Sequence, residues 1–201
     1  MKRSFAAALL FTVLGCGLLW VGTDGLTAFT AEAARRNAIR SHPRPVPAVL
    51  LEDQDGRIFS LKDYPDKLVA VEFIYTRCAT VCSTLGMGFR RIVDSIPAAA
   101  LERDFVLVSI SFDPQNDTPA KLKAYGRRFG ADGEGWRIAR VCSEADLKTV
   151  LAAFGITVIP DGMGGFEHNA AIHLLDRSGR LALITDYDQP LAFATYVRTL
   201  L

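Results

Sequence analysis

The sequence predicts an α/β domain whose mixed sheet is parallel at its centre, set behind an N-terminal apolar helix. Three observations predict it. Apolar runs rich in β-branched and aromatic residues (68–76 and 105–112) and a short strand over 136–141 alternate with segments of helical period. Strands alternating with helices give a parallel sheet covered on both faces. Two turn signals, Asp53-Gln54-Asp55-Gly56 and Asp176-Arg177-Ser178-Gly179, lie between short apolar runs and predict hairpins that add antiparallel strands. Finally, positions 4–23 hold no charged residue, and roughly 20 such residues span a bilayer.

The elements follow in chain order. Lys2 and Arg3 precede the uncharged run, which places the N-terminus in the cytoplasm and the rest of the chain outside. Three readings compete for residues 1–23: an uncleaved transmembrane anchor, which is preferred; a signal peptide cut near Ala31-Glu32-Ala33; and a lipoprotein attached at Cys16, disfavoured because the apolar run continues through Val21. Residues 24–46 read as a charged, helical juxtamembrane spacer followed by a proline-rich, semi-rigid linker that contains His42, a solvated loop residue. The folded domain is expected over 47–201. Hairpin strands at 48–51 and 57–60 come first, then the central strand 68–76 and a helix over 83–96 with Leu85, Phe89, Ile92, Val93 and Ile96 inward. After strand 105–112, Thr118 and Pro119 mark a helix start, with Leu122, Tyr125 and Phe129 facing in. Strand 136–141 leads to a helix that Ser143 and Asp146 cap, then a glycine-rich loop over 160–165. A second hairpin (170–175 and 181–185) and a helix from Pro190 to the C-terminus complete the order. The chain has 201 residues and a net charge of +1, enough for one domain with a core and no basis for binding nucleic acid.

The chemistry concentrates where strand 68–76 meets its helix. Cys78 and Cys82 fall at that junction, where unpaired N–H groups and the helix dipole favour thiolate. The i, i+4 spacing puts both sulfurs on one face of a helical turn, able to form a disulfide or grip a soft metal ion. Two buried structural cysteines are the plainer alternative. Arg77 is the only nearby cation. A strand, a cysteine pair and a helix entering such a sheet are thioredoxin-like. Cys142, after a strand and before a helix cap, reads as a core cysteine, and Met163 as a loop residue. Asp117 and Thr118 are expected to cap the helix that follows them, with Asp113 and Asp117 structural rather than catalytic.

With the elements placed, the chain resembles the Sco/SenC family of copper-binding, thioredoxin-like cytochrome c oxidase assembly proteins. Three stretches carry the resemblance: Phe73-Ile74-Tyr75-Thr76-Arg77-Cys78-Ala79-Thr80-Val81-Cys82; Val108-Ser109-Ile110-Ser111-Phe112-Asp113-Pro114-Gln115-Asn116-Asp117-Thr118-Pro119; and Glu167-His168-Asn169-Ala170-Ala171-Ile172-His173-Leu174-Leu175-Asp176-Arg177-Ser178-Gly179. It departs from the family pattern at Ala79 and Ser83, where proline is usual, and at Glu167, Asn169 and His173. The resemblance implies that His168, in the loop before the hairpin strand, joins Cys78 and Cys82 as a metal ligand. His173, at an odd offset along the strand, points to the opposite face and reads as a packing or edge residue.

Two thiolates suit Cu(I), and an added imidazole lets the same site hold Cu(II). Two functions are therefore expected to compete. One is a metallochaperone that carries one copper ion to the copper-receiving subunit of a cytochrome oxidase, from a donor and with a reductant that the sequence leaves unnamed. The other is a membrane-anchored thiol–disulfide oxidoreductase using the same cysteines, which has no need of His168. A thiol peroxidase is a weaker third reading.

Overall fold

The structure is a computed structural model that describes residues 2–78 and 81–201; the side chains of 1–4, 6–8, 81 and 82 lie outside the description. The chain divides into two compact units, 1–42 and 43–201. In the first, helix α1 (Lys2–Gly22) carries exposed apolar side chains all around it, among them Leu9, Leu10, Phe11, Leu18 and Val21. Among the described residues, no helix is long and apolar enough to cross a membrane. Helix α2 (Ala31–Ser41) starts at Thr30, whose hydroxyl accepts from Ala33 N at 3.1 Å, and ends at His42, whose N–H reaches Ala38 O.

The second unit is built on an eight-stranded sheet. Its strands are β1 (Arg44–Pro45), β2 (Leu51–Asp53), β3 (Ile58–Phe59), β4 (Leu68–Ile74), β5 (Phe105–Ser111), β6 (Trp136–Val141), β9 (Ala171–Leu175) and β10 (Arg180–Asp186), in the order β1-β10-β9-β4-β5-β6-β2-β3. β4, β5 and β6 form the parallel centre: β4 beside β5, β5 beside β6. Both hairpins add antiparallel strands, as their turn residues predict, and Gly56 (φ +77°) and Gly179 (φ +71°) take the left-handed conformation that a side chain would strain. β4 and β5 are buried at every position, which is why their sequences read as continuous apolar runs rather than alternating ones.

Helices cover both faces. α3 (Val81–Ser95) packs Phe89 on Trp136 and touches α4 (Pro119–Phe129) and α6 (Pro190–Arg198). On the opposite face α5 (Glu144–Phe154) sets Phe154 against Phe73 and His173, with ring centroids 5.2 Å apart in each case. His173 is thus a fully buried packing residue on an internal strand, its Nδ1 3.3 Å from Val71 O, and not an edge residue.

Two expectations need correction. The stretch around the glycine loop is a second, two-stranded sheet: β7 (Val158–Pro160) pairs antiparallel with β8 (Phe166–His168), so His168 ends a strand instead of sitting in a loop. Asp161 closes the turn between them by accepting from Met163 N at 2.7 Å and Gly165 N at 2.9 Å. Three-residue strands, one of them ending in proline, show too little alternation to be read from sequence. The second correction concerns the proline-rich stretch, where Arg44 and Pro45 form a strand against Leu181 and Arg180.

Candidate metal and thiol site

The C-terminal end of the central strand delivers Tyr75, Thr76, Arg77 and Cys78 in succession. A strand end with no partner for its next backbone groups needs other acceptors. Asp117 supplies them. Its carboxylate accepts from Thr76 N at 2.9 Å, from Thr76 Oγ at 2.5 Å and from Ser111 Oγ at 2.6 Å, with Asp117 and Ser111 fully buried. This overturns the capping role: Thr118 makes no side-chain cap to α4, and Asp117 is spent on the segment that leads into Cys78. Asp113 does the same one residue on. It pairs with Arg77 at 2.9 Å and accepts from Asn116 Nδ2, while its own N–H reaches Ser111 Oγ. Both aspartates are structural, and what they hold is the cysteine loop.

Cys78 is buried, and its N–H donates to Tyr75 O at 3.2 Å. The side chain of Cys82, and with it any pairing or shared ligand with Cys78, lies outside the described residues; its backbone is in the first turn of α3, at the strand-to-helix junction the sequence predicts, while Cys78 precedes the helix and is not part of the helical turn that the i, i+4 spacing suggests. Among the described residues, no group of three or more His, Cys, Asp and Glu side chains is arranged to hold a metal ion.

His168 is brought to the same end of the sheet by Tyr75. The Tyr75 hydroxyl donates to Phe166 O and accepts from Phe166 N, both at 3.3 Å, clamping β8 to the residue three before Cys78. The His168 ring then rests on Phe112 at 4.9 Å and beside Tyr75 at 6.3 Å. Next along, Asn169 accepts from Thr157 N at 2.7 Å and donates to Gly155 O at 2.9 Å, fixing the other side of the histidine. His168 Nδ1 lies 3.1 Å from Asn169 O; because a carbonyl only accepts, Nδ1 carries the proton and Nε2 the lone pair. Burial lowers the His168 pKa, favouring the neutral imidazole that metals bind.

The other sequence candidates fall elsewhere. Cys142 is exposed, not in the core. It is the first residue beyond β6, where Val141 takes the inward position and the next residue turns out. Its thiol is pushed up by desolvation, with nearby Glu52 adding to the effect. It borders a groove of about 520 Å³ that also includes Phe112 and Phe166, behind the aromatic cluster at His168. Met163 is exposed at the tip of the β7–β8 turn. Tyr75 and Phe112 carry no sequence signal of their own beyond lying inside the family-like stretches, and Asn169 shows in the sequence only as a departure from the family pattern.

A family pattern described as SCO1/SenC matches residues 42–199. Among curated proteins, the SCO1 protein homolog of Bacillus subtilis is 24% identical over 139 residues, spanning 68% of this chain and 70% of that one. A SCO2-like protein of Rickettsia typhi is 26% identical over 186 residues, spanning 90% of this chain and 87% of its own length. Among solved structures, that of Bradyrhizobium japonicum ScoI with copper bound superposes with a TM-score of 0.65 at 26% identity, covering 78% of this chain and 99% of ScoI. The thioredoxin-like architecture read from the sequence is thereby shown.

Proposed function

Because the chain belongs to the SCO1/SenC family, we propose that it binds copper and serves in the assembly of cytochrome c oxidase. In this reading Cys78, Cys82 and His168 hold one ion, which passes to the copper-receiving subunit of the oxidase. The observation that carries it is the Tyr75–Phe166 clamp, which brings the neutral imidazole of His168 to the strand end that bears Cys78. The donor set fits: two thiolates suit Cu(I), and a neutral imidazole extends the set to Cu(II). The copper-bound ScoI structure supports the same ligand.

The test is a copper titration followed by the thiolate-to-Cu(II) charge-transfer band. His168→Ala is expected to weaken Cu(II) far more than Cu(I). Cys78→Ser and Cys82→Ser should each abolish tight binding of either ion, whereas Cys142→Ser should leave it intact. An unchanged Cu(II) spectrum in His168→Ala removes His168 from the site. The same variant separates the second reading, a thiol–disulfide reductase, which uses both cysteines and survives loss of the histidine.

We also propose that residues 1–23 anchor the chain, with the domain on the outer side of the membrane. The described apolar side chains of α1, Phe5, Leu9, Leu10, Phe11, Leu14, Leu18 and Val21 among them, are exposed on every side of the helix, which supports this reading.

A further inference from the structure

Beside Cys78 lies an open cleft of about 460 Å³ whose lining is one-sided in charge: Thr76, Arg77, Cys78, Lys121, Ala124 and Arg128. Among the described residues, no acidic side chain lines it. One wall is α4, whose sequence carries Lys121, Lys123, Arg127 and Arg128 and no Asp or Glu. Two of these cations are directed elsewhere, since Lys123 pairs with Asp55 at 2.5 Å and the charge of Arg127 also bears on Asp55. The two that face the cleft are exposed. Lys121 donates only to the carbonyl of Asn116, at 2.8 Å, and Arg128 takes part in no ion pair among the described residues. Across the cleft Arg77 is paired with Asp113, so among the described residues the positive charge left unpaired at the cleft is that of Lys121 and Arg128. In a chain of net charge +1, positive charge is thus concentrated at the thiol.

We infer that this cleft is the docking face for an acidic protein partner, which presents a cluster of Asp and Glu side chains around Cys78. Spacing argues for a protein over a small anion. Lys121 and Arg128 are seven residues apart on one helix, about 10 Å along the axis. A single phosphate or sulfate would have to draw both long side chains together, while carboxylates spread over a protein surface meet the two charges where they stand. Such complementarity raises the encounter rate and fixes the orientation in which two sites meet. The proposal names the surface chemistry of the partner expected to exchange copper at Cys78, and rests on the copper reading only for what is exchanged.

The test uses the full-length chain in neutral detergent and a fluorescent oligoglutamate peptide as probe, followed by anisotropy. Wild type should bind it, with an affinity that falls roughly tenfold from low to physiological salt. Lys121→Glu combined with Arg128→Glu should lower the low-salt affinity by about tenfold or more, with an unchanged circular dichroism spectrum. An equal charge reversal elsewhere, Lys62→Glu with Lys148→Glu, should leave it nearly unaltered. The inference is overturned if the two double variants behave alike, if an oligolysine peptide binds as well, or if inorganic phosphate displaces the probe at concentrations that leave salt-matched controls unaffected. Displacement by phosphatidylglycerol vesicles with no preference for the peptide also overturns it, by assigning the patch to the membrane. Copper titration of the same samples is read separately. Peptide binding without copper binding defeats the copper reading and leaves the docking face standing; the reverse defeats the docking face alone.

Discussion

At the scale of single residues, the core holds a carboxyl group buried beside the apolar centre of the sheet. Glu72 is fully buried in the central strand, with Oε1 accepting from Ser109 Oγ at 2.5 Å and Oε2 without a hydrogen bond among the described residues. Trp136 Nε1 in turn donates to Ser109 Oγ, so one tryptophan reports on the group. Burial pushes the Glu72 carboxyl up from 4.5 to about 8, against a smaller opposing effect of the Ser109 hydrogen bond. The sign follows directly. Between those two values the unfolded chain loses this proton while the folded chain keeps it, so stability is fully present below 4.5 and declines until about 8. The slope from this one group is about 1.4 kcal/mol per pH unit. Glu72→Gln should therefore remove that slope and gain stability over wild type as pH rises. Urea unfolding at about pH 5 and about pH 7, followed by tryptophan fluorescence, measures it. Parallel behaviour of the two proteins would show that Glu72 is ionised in the fold.

At the scale of elements, the packing of α3 on α4 turns on a glycine. A Cβ at Gly86 would lie 2.6 Å from the ring of Phe129, while one at Gly88 would find nothing nearer than 3.7 Å. Alanine gains about 1 kcal/mol over glycine inside a helix, and overpacking costs about 1–3 kcal/mol. Gly88→Ala should be neutral or stabilising and Gly86→Ala destabilising, a contrast that chemical unfolding of the pair reads. Equal midpoints would refute the close approach. The sequence was legible for elements with local signals. Thr118 and Pro119 mark the start of α4 as found, and β6 runs from Trp136 to Val141 as expected. The candidate site was legible only in part. Cys78 and His168 stand out by residue type and motif, but the contact that joins them, Tyr75 to Phe166, spans 91 residues and leaves no periodic trace. Likewise Asp117 looks like a helix cap because its local setting is a cap. Only the neighbouring strand end, far off in sequence, redirects it.

For the whole molecule, the proposed anchor makes a claim about partitioning. Burial of apolar surface is insensitive to ionic screening. The full-length protein should then stay with membranes through a high-salt wash and leave only with detergent. Recovery of a shorter form in the soluble exported fraction would instead support cleavage after the apolar run. The sheet has a consequence of its own for a protein held at high local density. Its outermost strands, β1 and β3, are two residues long, and β1 includes Pro45, which has no N–H to offer. The seven-residue strand inside β1 breaks register between Leu181 and Leu183, which twists the stretch that β1 leaves uncovered. A long, flat, unpaired edge is what allows sheets of neighbouring molecules to join into fibrils. By ending its sheet in short, interrupted strands, the domain is guarded against polymerising with its own copies.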